Sequence, residues 1–291
     1  MLKNSFCHMP GIGIPTERRL WTSGILAWDD FLDASPGSLP FSGRKSQSFK
    51  EHVDRSLARL KDRDAAYFAD SMPVGQVWRI FAEFRDSVAY LDIETTGMGG
   101  PEDYITTISL YDGRSVSCYV HGRNMQDFRE AVVRYQVLVT YNGKCFDLPF
   151  IQSRLGLGMD QAHIDLRYVL KSLGYSGGLK GCEMKLGIGR KELEGVDGLF
   201  AVFLWQEYLN RKNERALETL LAYNIADTVN LETLMVMAYN LNLKATPFAG
   251  TLDLPLPSPP DIPFSADSSL IERIRRQTIA YSLPWQSRRL Y

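Results

Sequence analysis

The stretch 88-VAYLDIETTG-97 constrains this chain more than any other. Its first six residues are almost wholly apolar and read as a buried strand. Asp92 and Glu94 sit one residue apart at its end, and strand alternation sends both to the same side. Two carboxylates held there repel each other, and burial pushes at least one towards its neutral form. A divalent cation between them removes both costs. An exposed strand end carrying two solvated acids is the other reading, and the rest of the chain has to decide.

The 291 residues suit one large domain with appendages, or two domains. Hydrophobic residues make up 45% of the chain, enough for a real core, and 33 basic residues against 34 acidic ones leave no overall pull towards nucleic acid or membrane. Cys7, Cys118, Cys145 and Cys182 lie far apart and form no C-x-x-C pair, which argues against a zinc site and a disulfide framework. Neither an apolar leader segment nor a run of 18 apolar residues occurs. The expectation is a cytoplasmic protein with no membrane partner.

Residues 1–86 open with loops, including 35-SPGSLPFSG-43, and continue into a helical pattern over 46–72. Three strand-like runs follow, 88-VAYLDI-93, 104-YITTISLYD-112 and 115-SVSCYV-120, the last two joined by a hairpin turn at 112-DGR-114. A helix is predicted around 125–135 and a buried strand at 137-VLVTY-141. Helical patterns then occupy 147–155, 165–173, 199–210 and 214–241. Six prolines in 247–263 read as an extended linker, and 270–291 is a basic tail with five arginines and one acid. The fold class is therefore α/β, a mixed sheet flanked by helices, antiparallel at first. We divide it into a helical N-terminal extension at 1–86, a central domain at 87–244, and the linker and tail at 245–291.

Two more acids complete a constellation. Asp147 in 141-YNGKCFDLPF-150 follows the buried strand and opens a helix, where it suits either a metal or a helix cap. Asp227 in 223-YNIAD-227 lies on a helix face shared with Tyr223, among leucines. Packing alone would not choose an acid there, although a Tyr223–Asp227 hydrogen bond would account for it. Among weaker candidates, Thr95 and Thr96 suit a terminal nucleotide or a strand cap, and Asn142 suits the substrate backbone or the turn with Gly143. Lys180, Lys185 and Arg190 suit phosphates or a solvated helix face, and Asp165 reads as an N-cap.

The order D-x-E, N-x-x-x-F-D, Y-x-x-x-D resembles the DEDD (DnaQ-like) superfamily of ribonuclease-H-like exonucleases, in the subgroup with tyrosine in the last motif. The stretches 142-NGKCFDLPFIQSRLG-156, 163-HIDLRYVLKSLG-174, 179-LKGCEMKLGIGRKE-192 and 196-VDGLFAVFLWQEYL-209 are similar to its YprB-like branch, so the resemblance spans roughly 87–243. It implies a ribonuclease-H-like fold and a 3′→5′ exonuclease acting on the 3′ end of single-stranded DNA or RNA. It also implies two divalent ions, Mg2+ or Mn2+, which suit carboxylate ligands and phosphodiester hydrolysis. Asp92 would bridge them, Glu94 and Asp227 would complete the water-activating site, Asp147 would support the second ion, and Tyr223 would orient the water.

The ends leave alternatives open. In 10-PGIGIPTERRLWTSG-24 the Gly-hydrophobic-Gly element resembles the phosphate-binding hairpin of a helix-hairpin-helix module, but only nine residues precede Pro10, and a structural cap serves equally well. The tail arginines, with Tyr281 and Trp285, suit either a nucleic-acid strand or a docked helix. The rivals to an exonuclease are a structure-specific endonuclease and a non-catalytic nucleic-acid-binding protein on the same fold.

Overall fold

The structure, a computed structural model, describes residues 1–35, 39, 41, 43–189 and 198–282. Its centre is a five-stranded sheet ordered β3-β2-β1-β4-β5, with β1 Val88–Thr95, β2 Ile105–Tyr111, β3 Val116–Val120, β4 Val137–Thr140 and β5 Ala162–Asp165. β1 pairs antiparallel with β2 and parallel with β4; β2–β3 is antiparallel and β4–β5 parallel. The mixed sheet is thus the expected one, antiparallel first. The β2–β3 connection closes at Asp112, whose carboxylate accepts the backbone N–H groups of Arg114 and Ser115.

β1 is buried on both faces, which explains why its sequence reads as an apolar run. Ala89, Leu91 and Ile93 join a cluster with Phe128, Val132 and Ile151 beneath α5 Phe128–Val132 and α6 Asp147–Leu155. Val88 and Tyr90 face the opposite side, in a cluster with Ile225, Val229 and Leu234 of the 30-residue helix α10 Glu214–Leu243. Strand alternation therefore turns Asp92 and Glu94 towards α10 as well.

The N-terminal helices α1 Ile14–Thr22, α2 Trp28–Asp33, α3 Gly43–Lys61 and α4 Ala65–Ser71 share that same core: Trp28, Phe31, Val53 and Phe68 belong to one continuous buried cluster with Val88 and Tyr239. The helical pattern over 46–72 is broken in two. Arg63 adopts φ 59°, and Asp64 then caps α4 by accepting from the Tyr67 N–H at 2.9 Å. Two further departures concern short elements. The helix expected at 125–135 is a 3-10 turn, Met125–Asp127, followed by the five-residue α5. The start of the 163-HIDLRYVLKSLG-174 stretch is strand β5, and only Leu166–Ser172 is helical, as α7.

Helices α8 Gly178–Lys185 and α9 Gly198–Arg211 precede α10. Beyond it the proline-rich segment has neither helix nor strand over 253–267, yet it lies against α10: Asn240 donates to the Leu254 carbonyl and accepts from its N–H. The last helix, α11 Ser268–Ser282, buries Leu270, Ile271 and Ile274 against Phe200 and Leu204 of α9, and Arg273 pairs with Glu207 at 2.5 Å. That is the docked arrangement of the two weighed for the tail. Trp285 and the Tyr281 side chain lie outside the described residues. None of the described helices is long and apolar enough to cross a membrane.

Candidate metal centre

The acid pair, the turn after β4 and the middle of α10 meet at one end of the sheet. Glu94 occupies the C-terminal end of β1, opposite Thr107 of β2. Asp92, Glu94 and Asp227 each offer a carboxylate oxygen within 4.8 Å of the others, a set that could hold a metal ion. Asp92 is partly accessible, whereas Glu94 and Asp227 are buried. The three come from residues 133 or more positions apart at the extremes only because α10 lies over the face to which β1 turns its even-numbered side chains.

Asp147 is the first residue of α6, with Phe146 as N-cap, so a carboxylate stands in the first turn where the helix dipole favours it. Its Oδ1 accepts the Ile93 N–H at 3.3 Å, which ties it to β1 between the two motif acids. Burial, and then the charge of Asp92, raise its pKa well above the usual carboxylate range. That is the electrostatic signature of a site with more negative charge than its surroundings readily accept.

The turn that delivers Asp147 needs both residues of 142-NG-143. Asn142 is left-handed at φ 69°, a conformation asparagine tolerates better than most residues. Gly143 lies so close to Thr140 that an added Cβ would sit 2.2 Å from its Oγ1. Asp165, the N-cap of α7, holds this turn from the side, accepting from the N–H groups of Asn142 at 2.8 Å and Lys144 at 3.0 Å. It caps and braces, as its position in the sequence suggests.

Tyr223 is buried one turn before Asp227 on α10, and the Lys180 ammonium of α8 lies 4.8 Å from its ring centroid. Lys180 thus reaches the centre's neighbourhood, whereas Lys185 turns back to the Ser176 carbonyl at 2.7 Å. The hydroxyls of Thr95 and Thr96 shape the loop after β1: Thr95 donates to the Gly97 carbonyl, and Thr96 donates to Asp103 and accepts the Tyr104 N–H. Asn142 uses its side-chain oxygen to accept from Arg167. Arg190 lies outside the described residues.

One functional residue escaped the sequence reading. Asn224, fully buried on α10, donates to Asp92 Oδ2 at 2.6 Å and accepts from Thr107 Oγ1 at 3.0 Å. It fixes one oxygen of the acid that stands closest to solvent. Its signal is the polar residue beside Tyr223 within an otherwise apolar helical run, noticeable only once α10 is known to be buried on nearly every side.

The 10-PGIG-13 element sits elsewhere. Gly13 is the N-cap of α1, and Glu17 in the first turn is sealed against Arg79 with both oxygens 2.8 Å from Nη1.

No curated protein matches the chain. Among solved structures, a family B DNA polymerase from the hyperthermophilic archaeon Pyrobaculum calidifontis matches at 18% identity and a TM-score of 0.41, over 54% of this chain and only 26% of its own. A family model described as RNase_H superfamily matches residues 89–239, from the second residue of β1 almost to the end of α10 and therefore across all four acids and Tyr223. With that match covering more than half of its length, the chain belongs to the RNase_H superfamily.

Proposed function

We propose that the protein is a metal-dependent 3′→5′ exonuclease acting on single-stranded DNA or RNA. The observation that carries this reading is the convergence of Asp92, Glu94 and Asp227 within 4.8 Å, with buried Asp147 hydrogen-bonded to the strand between the first two. Oxygen-only ligands of this kind suit Mg2+ or Mn2+ rather than softer metals.

Asp92, Glu94 and Asp227 would hold the cation, with Asp147 supporting a second. Bound there, divalent ions supply Lewis acidity, making water nucleophilic at neutral pH and offsetting charge on the leaving oxygen. The chain's own groups set the geometry. Asn224 keeps Asp92 in one orientation, so the ligand oxygen is in place before substrate arrives. Tyr223 orients the attacking water without removing its proton outright. Lys180, stacked on the Tyr223 ring, brings positive charge to the place where a phosphate would enter.

The test is cleavage of end-labelled single-stranded DNA and RNA with Mg2+ or Mn2+. Wild type should shorten the strand stepwise from its 3′ end. Asp92→Ala should lower the rate by at least about 10³-fold, because metal assistance supplies several kcal/mol and each 1.36 kcal/mol is tenfold. Cleavage of circular or end-blocked strands would instead make it an endonuclease. Binding without cleavage, with Mn2+ present, would make it a nucleic-acid-binding protein.

A further inference from the structure

Beside the metal centre, at the C-terminal ends of β4 and β5, a cleft of about 440 Å³ is lined by Tyr141, Asn142, Arg167, Lys171, Tyr175 and Gly177, among others. We propose that this cleft binds the single strand immediately upstream of the cleaved nucleotide, its phosphates on Arg167 and Lys171 and a base against Tyr175. The inference rests on the nuclease reading for its direction, but the cleft's chemistry points to a nucleic-acid strand by itself.

Four observations support it. First, the cleft has the volume of a small-ligand site, and its lining contains two cations and no carboxylate, in a chain of net charge −1. Second, Arg167 and Lys171 are four residues apart on α7, both exposed and on one face. Like charges at that spacing destabilise a helix, so the helix itself gains nothing from the pair. Third, tyrosine rings frame the cations. Tyr141 and Tyr175 are half-buried, held but still accessible, and the combination of stacking faces with a basic groove is the sequence-tolerant chemistry of single-strand binding. A duplex keeps its base faces stacked inside and could not use them.

The fourth observation is position. Tyr141 and Asn142 are the first two residues after β4, and five residues further on the same turn delivers Asp147 to the metal centre. On the other side, α8 starts at Gly178 on the cleft's rim and carries Lys180 to the Tyr223 ring. Cleft and centre are thus linked along the chain twice, through the 141–147 turn and through the start of α8. Arg167 already donates to the Asn142 side chain, so its guanidinium is fixed at the cleft and retains further N–H groups for a phosphate.

The experiment measures the affinity of the full chain for fluorescein-labelled octathymidylate and octauridylate by anisotropy, with Ca2+ replacing Mg2+ to suppress cleavage. Arg167→Ala/Lys171→Ala should weaken binding about tenfold for each cation removed, and should flatten the dependence of log Kd on log salt by about 1.4 for two lost single-strand phosphate contacts. Tyr175→Ala should cost about five- to a hundredfold with little change in salt slope, as expected for a stacking contact. Lys61→Ala/Lys244→Ala, which removes the same charge from exposed positions elsewhere, serves as the control for net charge. Equal loss in the cleft and control variants would overturn the proposal, as would an unchanged affinity in Arg167→Ala/Lys171→Ala. Lys171→Ala alone, at a residue with no part in the Asn142 contact, guards against a folding artefact and should show the single-contact loss. Failure of the nuclease reading shows separately: wild type would then hydrolyse neither labelled strands nor the 4-nitrophenyl ester of thymidine 5′-monophosphate with Mn2+, while the binding comparison would still decide for or against the cleft.

Discussion

A single buried acid in the N-terminal region and the acid cluster at the end of β1 are built differently. In the N-terminal region, Glu17 is fully enclosed, and its Oε1 accepts from the N–H groups of Phe6 at 2.6 Å and Cys7 at 3.0 Å. Arg79, itself 3% exposed, bridges both Glu17 oxygens and lies 5.6 Å from the ring centroids of Trp21 and Trp78. The chain answers that negative charge with its own cation. At the end of β1, Asp92, Glu94 and Asp227 instead bring carboxylate oxygens within 4.8 Å of one another, and burial and the Asp92 charge act together on Asp147. The first arrangement adds to the fold. The second is the set that could hold a cation from outside, the role we propose for it.

The sharpest way to break this comparison is to remove the internal cation. Arg79→Met leaves the Glu17 carboxylate buried without its partner, which should cost about 3–5 kcal/mol and lower the melting midpoint by roughly 10 °C in a chain of this size. Adding Glu17→Gln should recover most of that loss, because the pair then disappears together and the Phe6 and Cys7 N–H groups keep an acceptor. Thermal melts of the three proteins decide it. A double variant no more stable than Arg79→Met would show that Arg79 contributes through its packing on the tryptophans instead.

The centre was far more legible in the sequence than the Glu17 pair, and the reason is geometric. Alternation along one strand places Asp92 beside Glu94, and four residues along one helix place Tyr223 beside Asp227, so each half of the site is a local pattern. Glu17 and Arg79 are 62 positions apart and belong to no such pattern; 10-PGIG-13 drew attention to its glycines when the structurally decisive residue was the glutamate that follows. Asn224 was missed for the same reason, since its partners Asp92 and Thr107 lie 132 and 117 positions away. Strand β5 was missed because its four residues, 162-AHID-165, run straight into a helical pattern, and four residues are too few for a period to show. The division of 46–72 turned on one left-handed residue, Arg63, whose side chain gives no sign of it.

A smaller effect separates the two regions by pH. His8 is 4% exposed, packed between the rings of Trp28 and Phe68, with Nε2 2.8 Å from Ser56 Oγ. Burial lowers its pKa to about 4. The folded state thus holds a neutral imidazole that the unfolded chain would protonate near pH 6.5. Its stabilisation is complete above that pH and is lost progressively as pH falls towards 4, on the order of 3 kcal/mol over the window. In denaturant unfolding at pH 7.5, 6, 5 and 4, His8→Gln should lose less stability on acidification than wild type. Parallel slopes for the two proteins would show that His8 is not the group responsible.

Asp147 carries the opposite sign, and that makes the contrast quantitative. Its folded-state pKa lies above that of the unfolded chain, from burial first and the Asp92 charge second. The folded state therefore favours the protonated acid, and stability falls as pH rises from the ordinary carboxylate range through the raised pKa. At neutral pH without divalent ions, Asp147→Asn should melt higher than wild type, by on the order of 1 kcal/mol, the scale at which a functional group's cost to stability is usually recovered. The amide keeps an oxygen for the Ile93 N–H, so the contact that ties α6 to β1 survives. Adding Mn2+ should then raise the midpoint of wild type more than that of the variant, closing the gap, because only wild type offers the full set of charges to a cation. A variant less stable than wild type at neutral pH without metal would place Asp147 with Glu17, as a carboxylate the fold needs in its charged form.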